Sequence, residues 1–126
     1  MYTLRCEADR NLIVAEIHGF LTVEDVTAFS VEEQALVRSM GCASGDYLLM
    51  VITEEAVIQS QEVVAKFIDI VSNSPLKARR VAVVRGASLT RMQTQRILSI
   101  RNNAAIFVER PEAEAWLFQQ DAVTAA

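Results

Sequence analysis

The chain has 126 residues, of which 52% are hydrophobic, and its formal net charge is −4. This length fits a single domain over residues 1–126, no apolar run approaches the roughly 18 residues of a membrane span, and the acidic balance argues against general nucleic-acid binding. The N-terminal residues MYTLRCEADR carry charges where a signal peptide needs an apolar stretch, so we expect a cytoplasmic protein in which Cys6 and Cys42 are reduced thiols.

The first two predicted elements form an antiparallel hairpin. Tyr2 to Glu7 alternates apolar with polar residues, which is typical of a strand with one face in water. Leu12 to His18 is a second strand-like run, and the Asp and Asn between the two runs suit a hairpin turn.

The first predicted helix begins with a capping-box pattern. Thr22-Val23-Glu24-Asp25 places a hydroxyl three residues before a carboxylate, which predicts a helix from Val23 to Met40 with Gly41 as its stop. The Glu32-Glu33 pair interrupts its apolar stripe. The inward positions are expected at Val26, Phe29, Leu36, Val37 and Met40.

The central segment combines a buried strand with a second helix. Tyr47 to Ile52 is continuously apolar, which favours a strand covered on both faces, and Thr53 to Gln59 is expected to be a loop or irregular segment. A helix follows from Ser60, and Ser72-Asn73-Ser74-Pro75 ends it, because proline cannot continue a helix. Its inward residues are expected to be Val63, Val64, Phe67, Ile68 and Val71.

A strand, helix, strand and helix complete the chain. The strands are predicted at Val81 to Val84 and at Ala105 to Val108, and the helix between them at Leu89 to Ile100. Pro111 suits the first turn of the last helix, and residues 119–126 are expected to fray. The inward residues of the third helix are expected to be Leu89, Met92, Ile97 and Ile100.

This order of elements, β-β-α-β-α-β-α-β-α, predicts an α/β fold. After the hairpin, right-handed crossovers give a mixed, mostly parallel sheet of about five strands covered by about four helices. Charge is split along the chain, with a balance of −8 over residues 1–72 and +4 over residues 73–126. The split could present a polar face to a partner, or the two halves could simply attract each other.

Two loops are candidates for a binding site. In a parallel sheet, the loops after the carboxyl ends of the strands share one edge, so we expect Thr53 to Ser60 to lie beside Arg85 to Ser88. Gly86 lets the backbone turn sharply, and the N-terminus of the next helix at Ser88, with Arg85 and Arg91 nearby, could hold a phosphate or carboxylate. The alternative is a capped helix with solvated arginines.

Ser60 is a candidate for phosphorylation. A hydroxyl at the start of a helix tolerates added negative charge because the helix dipole favours it, although a plain N-cap explains the same residue.

The sequence shows no catalytic set, metal site or cofactor motif. His18, the single histidine, has no visible partner set, and Cys6 alternates with charged residues as a packing residue does. Adjacent acids such as Glu54-Glu55 do not face each other, so neither acidic pair resembles an acid/base dyad. Trp116 and Leu117 could anchor a partner or pack the core. We therefore expect a protein that is not an enzyme.

The chain resembles STAS-type domains, and among them it is similar to the SpoIIAA-like family of small stand-alone bacterial proteins, which lies close to STAS and CRAL-TRIO lipid-binding domains. The residues that carry the resemblance span nearly the whole chain. They are the opening pair of strands with Gly19-Phe20-Leu21-Thr22 and Glu24-Asp25, then Arg80-Val81-Ala82-Val83-Val84, then Ile106-Phe107, Ala113, Ala115, Trp116 and Leu117.

The resemblance implies a regulatory or lipid-associated binding module. In anti-sigma-factor antagonists, a serine that begins the helix after the third strand is phosphorylated by a kinase partner, and Ser60 holds that position. The family pattern has an acid before the serine and a small residue with glycine after it, whereas this chain has Gln59, Gln61 and Glu62. We expect recognition of a protein partner or a small amphipathic or anionic ligand at the sheet edge, with a phospho-regulated switch, a lipid carrier or an unrecognised enzyme as alternatives and a homodimer as a further possibility.

Overall fold

The computed structural model of the chain describes residues 1–85, 88–99 and 103–119, and within residues 88–91 it describes the backbone alone. Strands and helices alternate in the predicted order after an initial pair of strands, with a short 3-10 turn in the hairpin at Ala8–Arg10. The elements are β1 (Tyr2–Glu7), β2 (Leu12–Gly19), α1 (Val23–Ser39), β3 (Leu48–Ala56), α2 (Gln61–Asn73), β4 (Arg80–Val84), α3 (Ser88–Leu98), β5 (Ala104–Phe107) and α4 (Arg110–Leu117).

The five strands form one sheet in chain order, β1-β2-β3-β4-β5. β1 is antiparallel to β2, whereas β2, β3, β4 and β5 are parallel to their neighbours. The predicted mixed, mostly parallel sheet is therefore confirmed. Because the last four strands point the same way, the segments that follow β2 to β5 emerge at one edge of the sheet, which we call the carboxyl rim.

Helices cover both faces of the sheet. Alternate residues of the strands, such as Val14 and Met50, pack with Ala113 and Leu117 of α4 on one face. On the opposite face, residues such as Ile13 and Ile17 pack beneath the layer that contains α1, α2 and α3. Since both faces are covered, the central strands need apolar residues at consecutive positions, which is the pattern that predicted them.

The helix starts follow the local sequence. Thr22 and Asp25 form the predicted capping box, in which the Asp25 N–H donates to the Thr22 hydroxyl at 3.1 Å and the Thr22 N–H donates to the Asp25 carboxylate at 2.9 Å. Ser60 caps α2 by accepting from the Val63 N–H at 3.2 Å. α1 ends at Ser39, and the chain turns at Gly41 with a φ of 73°, a conformation that favours glycine.

Three predictions differ from the structure. Cys6, predicted to be a packing residue of β1, is exposed. The segment from Thr53 to Ala56 is not a loop: β3 continues through it, because β2 is long enough to pair up to Gly19 beside Ala56. Met92 does not face inward but is 66% exposed, since it lies in the part of α3 nearest the carboxyl rim. The inward predictions for Leu89 and Ile100, and the predicted frayed tail beyond Gln119, lie outside the described residues and side chains.

No helix within the described ranges is long and apolar enough to cross a bilayer.

Candidate functional site at the carboxyl rim

The loops after β3 and β4 reach the same rim, as the sequence predicts. β3 and β4 pair in parallel from Leu48 beside Arg80 to Ile52 beside Val84, so α2 and α3 both begin at this edge. Ser60 and Ser88, the residues at the two helix starts, therefore lie on one side of the molecule.

The side chain of Gln59 connects three segments of the rim. Its amide N–H donates to the Gly19 carbonyl at 2.9 Å, and its carbonyl accepts from the Leu21 N–H at 2.8 Å. Its backbone N–H and carbonyl form two 2.8 Å hydrogen bonds with the carboxamide of Gln93 in α3. The reciprocal bonds between Gln59 and Gln93, which we call the Gln59–Gln93 clasp, link the β3–α2 loop to α3, and the side-chain bonds of Gln59 add the β2–α1 loop.

The predicted site residues have different environments. Thr53 is 7% exposed and faces inward, where its hydroxyl donates to the Val84 carbonyl at 2.8 Å. Ser60 is exposed, and Arg85 is half-buried with its backbone N–H bonded to the Phe107 carbonyl. Gly86 and the side chains of Ser88 and Arg91 lie outside the described part of the chain, so the anion site remains a prediction.

Large apolar side chains are exposed along the same rim. Phe20 follows β2 and is 73% exposed, whereas Val57 and Ile58 follow β3 and are 39% and 44% exposed. Gly19 pairs with Ala56, so these three residues leave adjacent strands side by side. We call Phe20, Val57 and Ile58 the rim patch. Exposed neighbouring apolar groups of this kind mark surfaces that meet another molecule.

Several carboxylates lie in the segments next to the rim patch along the chain. Glu24 and Glu62 are exposed in the first turns of α1 and α2. Glu55 accepts from the His18 ring at 2.9 Å, and Glu54 binds Arg110 at 2.7 Å. The hydrogen bond from Arg110 to Glu54 keeps the pKa of the Arg110 guanidinium above its ordinary value. Acids from the first half of the chain thus lie next to an apolar centre in sequence.

A cavity of about 150 Å³ lies between the sheet and the layer formed by α1, α2 and α3. Its walls are mostly apolar. The space is partly open to solvent, and apolar residues of its wall such as Val51, Phe67 and Ile70 are only half-buried. The side chains that define it are Val51, Thr53, Phe67, Ile70, Val83 and Ile97.

A buried carboxylate, Glu33, also lines this cavity and was not predicted from the sequence. The Tyr47 hydroxyl lies 2.9 Å from its carboxylate and 3.1 Å from the Leu76 carbonyl. The Gln34 amide donates to both Glu33 and the Leu76 carbonyl. Glu33 lies four residues after Phe29 and four before Val37, on the buried stripe of α1, and that spacing is the signal that could have found it.

His18 and Cys42 have contacts that suit a structural role better than a catalytic one. His18 lies between Glu55 and, at 3.4 Å, Glu16 near the surface of β2. Burial raises the pKa of the Cys42 thiol, which disfavours the thiolate that a nucleophile requires. Within the described residues, no cluster of three or more His, Cys, Asp or Glu side chains has the arrangement of a metal site.

Comparisons with known proteins identify the fold. The structure matches an uncharacterised protein from the DUF3478 family with a SpoIIAA-like fold, from Shewanella loihica PV-4, with a TM-score of 0.71 and 15% identity over 93% of this chain and 92% of that one. It also matches an anti-sigma factor antagonist from Mycobacterium paratuberculosis, with a TM-score of 0.59 and 9% identity over 94% and 96% of the two chains. No family profile matches the sequence. No curated protein matches it either. The SpoIIAA-like fold that the resemblance implied is confirmed.

Proposed function

We propose that this protein is a non-enzymatic regulatory module that binds a protein partner through the carboxyl rim. The observation that carries the proposal is the rim patch, in which Phe20, Val57 and Ile58 expose apolar surface side by side at the predicted edge. A protein surface that covered these side chains would remove their apolar area from water, at about 25 cal/mol per Å².

The charges around the patch indicate the chemistry of the partner. Glu24 and Glu62 flank the apolar centre along the chain, and both are exposed. Carboxylates at the border of an interface steer association toward a positively charged surface and repel an anionic one. The partner is therefore a protein with an apolar contact surface bordered by lysine or arginine. The same charges work against an anionic membrane or a nucleic acid.

The contacts of the reactive side chains support a non-enzymatic role. His18 is held between two carboxylates on the outside of the sheet, and the pKa of the Cys42 thiol is raised by burial. Neither residue lies in the cavity, where a substrate could be shielded from water. The described residues at the rim provide hydrogen bonds and apolar contacts.

Replacing the rim patch tests the proposal. The double variant Phe20→Ser, Ile58→Ser is expected to lose proteins that the tagged wild-type chain captures from lysate of its native cells, as measured by quantitative mass spectrometry. The matched control is Val31→Ser, which changes a 65% exposed apolar residue in the middle of α1, away from the rim.

A partner that is captured equally by the rim variant and by the control would contradict the proposal. Circular dichroism of each variant establishes that the fold is retained. The salt dependence of binding adds a second readout, because a partner attracted by Glu24 and Glu62 associates more slowly as ionic strength rises.

A second candidate function is a phosphorylation switch at Ser60. Its hydroxyl is exposed at the N-terminus of α2 and lies two residues from Ile58 of the rim patch, so a kinase could reach it and a phosphate there would alter the same surface. The acid and glycine that flank the serine in anti-sigma-factor antagonists are absent, which is why this function comes second.

The switch predicts opposite results for two substitutions. If the partner surface opposite Ser60 is apolar rather than basic, Ser60→Asp is expected to abolish capture, because the added carboxylate imitates the phosphate charge and would have to be buried unpaired. Ser60→Ala is expected to retain capture, with a loss of about 1 kcal/mol in folding stability from the missing cap. Equal capture by both variants would leave Ser60 as an N-cap alone.

A further inference from the structure

We propose that the cavity between the sheet and α1–α3, which shares Val57 with the rim patch, is a second binding site for a small uncharged molecule the size of a single ring or a short alkyl chain. The first observation is that the centre of the sheet is incompletely covered. Leu49 and Val51 lie in the middle strand of five but are half-buried, whereas their neighbours on the other face, Leu48 and Met50, are buried.

The missing cover lies beneath the helices. From the helix side, Phe67, Ile70 and Ile97 line the same space and are also half-buried. Apolar side chains on two packed layers normally interdigitate until no void remains. Here partly covered residues face one another across the cavity, so another apolar group can be accommodated between them.

The volume sets the size of the ligand. An engineered cavity of about 150 Å³ in an unrelated protein stays dry and binds benzene. The cavity in this chain has the same volume, about 150 Å³. It is therefore too small for a helix or a peptide segment, and a single ring or a short alkyl chain fits.

The lining sets the polarity of the ligand. Most of the wall is aliphatic or aromatic, which favours an uncharged ligand. The basic residue Lys77 also lines the space, but it is exposed and its ammonium donates to the Ser72 carbonyl. An anion would in addition lie near the buried carboxylate of Glu33.

The Gln59–Gln93 clasp lies at the border of the cavity, because both glutamines are among its lining residues. The clasp holds α3 to the β3–α2 loop through the two hydrogen bonds between the Gln93 carboxamide and the Gln59 backbone. The clasp therefore fixes the position of α3 at one wall of the space.

Titration with benzene tests the cavity directly. In the wild-type protein labelled on methyl groups, benzene is expected to shift the resonances of Val51, Val83 and Ile70 in a saturable manner. Val51→Phe, which places a ring in the cavity, is expected to weaken benzene binding at least about tenfold. The control Phe20→Ser, in the rim patch, is expected to leave benzene binding unchanged.

A second variant keeps the test decisive if Val51→Phe does not fold. Ile70→Ala enlarges the cavity and is expected to bind p-xylene more tightly than the wild type does. The proposal is overturned if the benzene shifts do not saturate, or if they concentrate at the methyl groups of Ile58 in the rim patch. Neither result bears on partner capture by the rim patch, which has its own variants and its own readout.

Discussion

Tyr47 and Tyr2 show how burial changes the contribution of a tyrosine–glutamate hydrogen bond to folding stability. The Tyr47 hydroxyl lies 2.9 Å from Glu33, and both residues are buried. The Tyr2 hydroxyl donates to Glu32 at 2.8 Å near the surface. Partial burial and the bond to Glu32 raise the pKa of Tyr2 to about 12. The pairs differ mainly in their access to water, which can replace a lost partner at the surface but not inside.

Removing the two hydroxyls in turn measures that difference. Tyr47→Phe is expected to reduce the free energy of unfolding by about 1–3 kcal/mol, because it withdraws a donor from a buried carboxylate. Tyr2→Phe is expected to cost no more than about 1 kcal/mol. Urea unfolding monitored by circular dichroism checks both values, and equal losses would show that water reaches Glu33.

At the scale of an element, α1 illustrates how a few residues place a helix. Its start is set by the reciprocal bonds between Thr22 and Asp25, and the hydrogen bond from the Thr22 N–H lowers the pKa of Asp25. Its buried stripe then brings Val26 and Val37 onto the sheet. The same stripe carries Glu33 into the cavity, so one helix determines both the packing and a polar group inside it.

The cap of α1 predicts a dependence of stability on acid. A carboxylate whose folded-state pKa is lowered contributes stability that is present above its ordinary pKa, near 3.9, and is lost as the pH falls through the lower folded-state value. Asp25→Asn is therefore expected to melt at a temperature that changes less between about pH 5 and pH 2 than the wild type does. Thermal melts across that range measure it.

The control for this prediction comes from the same turn. Glu24→Gln removes a carboxylate that is not part of the capping box, and it is expected to keep more of the acid sensitivity of the wild type. If both variants respond to pH in the same way, net charge rather than the cap is responsible.

α2 and α3 cover the sheet less completely than α4 does. The apolar side of α2 includes Phe67 and Ile70, which line the cavity and are half-buried. α3 is held to the loop before α2 by the Gln59–Gln93 clasp. α4 differs, because Ala113 and Leu117 are fully buried against the other face of the sheet. The two faces of the sheet therefore differ: α4 packs closely on one face, and α1–α3 leave a space above the other.

At the scale of the whole molecule, the rim patch and the cavity are neighbours that share Val57. Gln59 lies beside Ile58 of the patch and also lines the cavity, so its loop belongs to both. The split of charge along the chain also has a spatial result. Acids from residues 1–72 lie next to the rim patch along the chain, and Arg110 from the second half binds one of them, Glu54. Some of the opposite charges therefore pair within the molecule, as Arg110 and Glu54 do, and others, such as Glu24 and Glu62, are exposed to solvent.

The sequence by itself determined the order of the elements and their main boundaries. Periodicity, capping residues and turn residues are local, so Thr22, Ser60 and Gly41 could be assigned from their neighbours alone. Parallel strands in chain order also require the loops after β3 and β4 to meet at one edge, which places Ser60 near Ser88.

Only the tertiary structure decided how far β3 extends, which side chains the rim exposes and where Glu33 lies. Each of these depends on a distance between elements that are far apart in the chain. The end of β3 depends on its pairing with β2. The exposure of the Phe20 side chain depends on how the neighbouring loops pack around it. The cavity depends on how closely α1–α3 approach the sheet, and this spacing arises from the fit of both layers, which no single segment specifies.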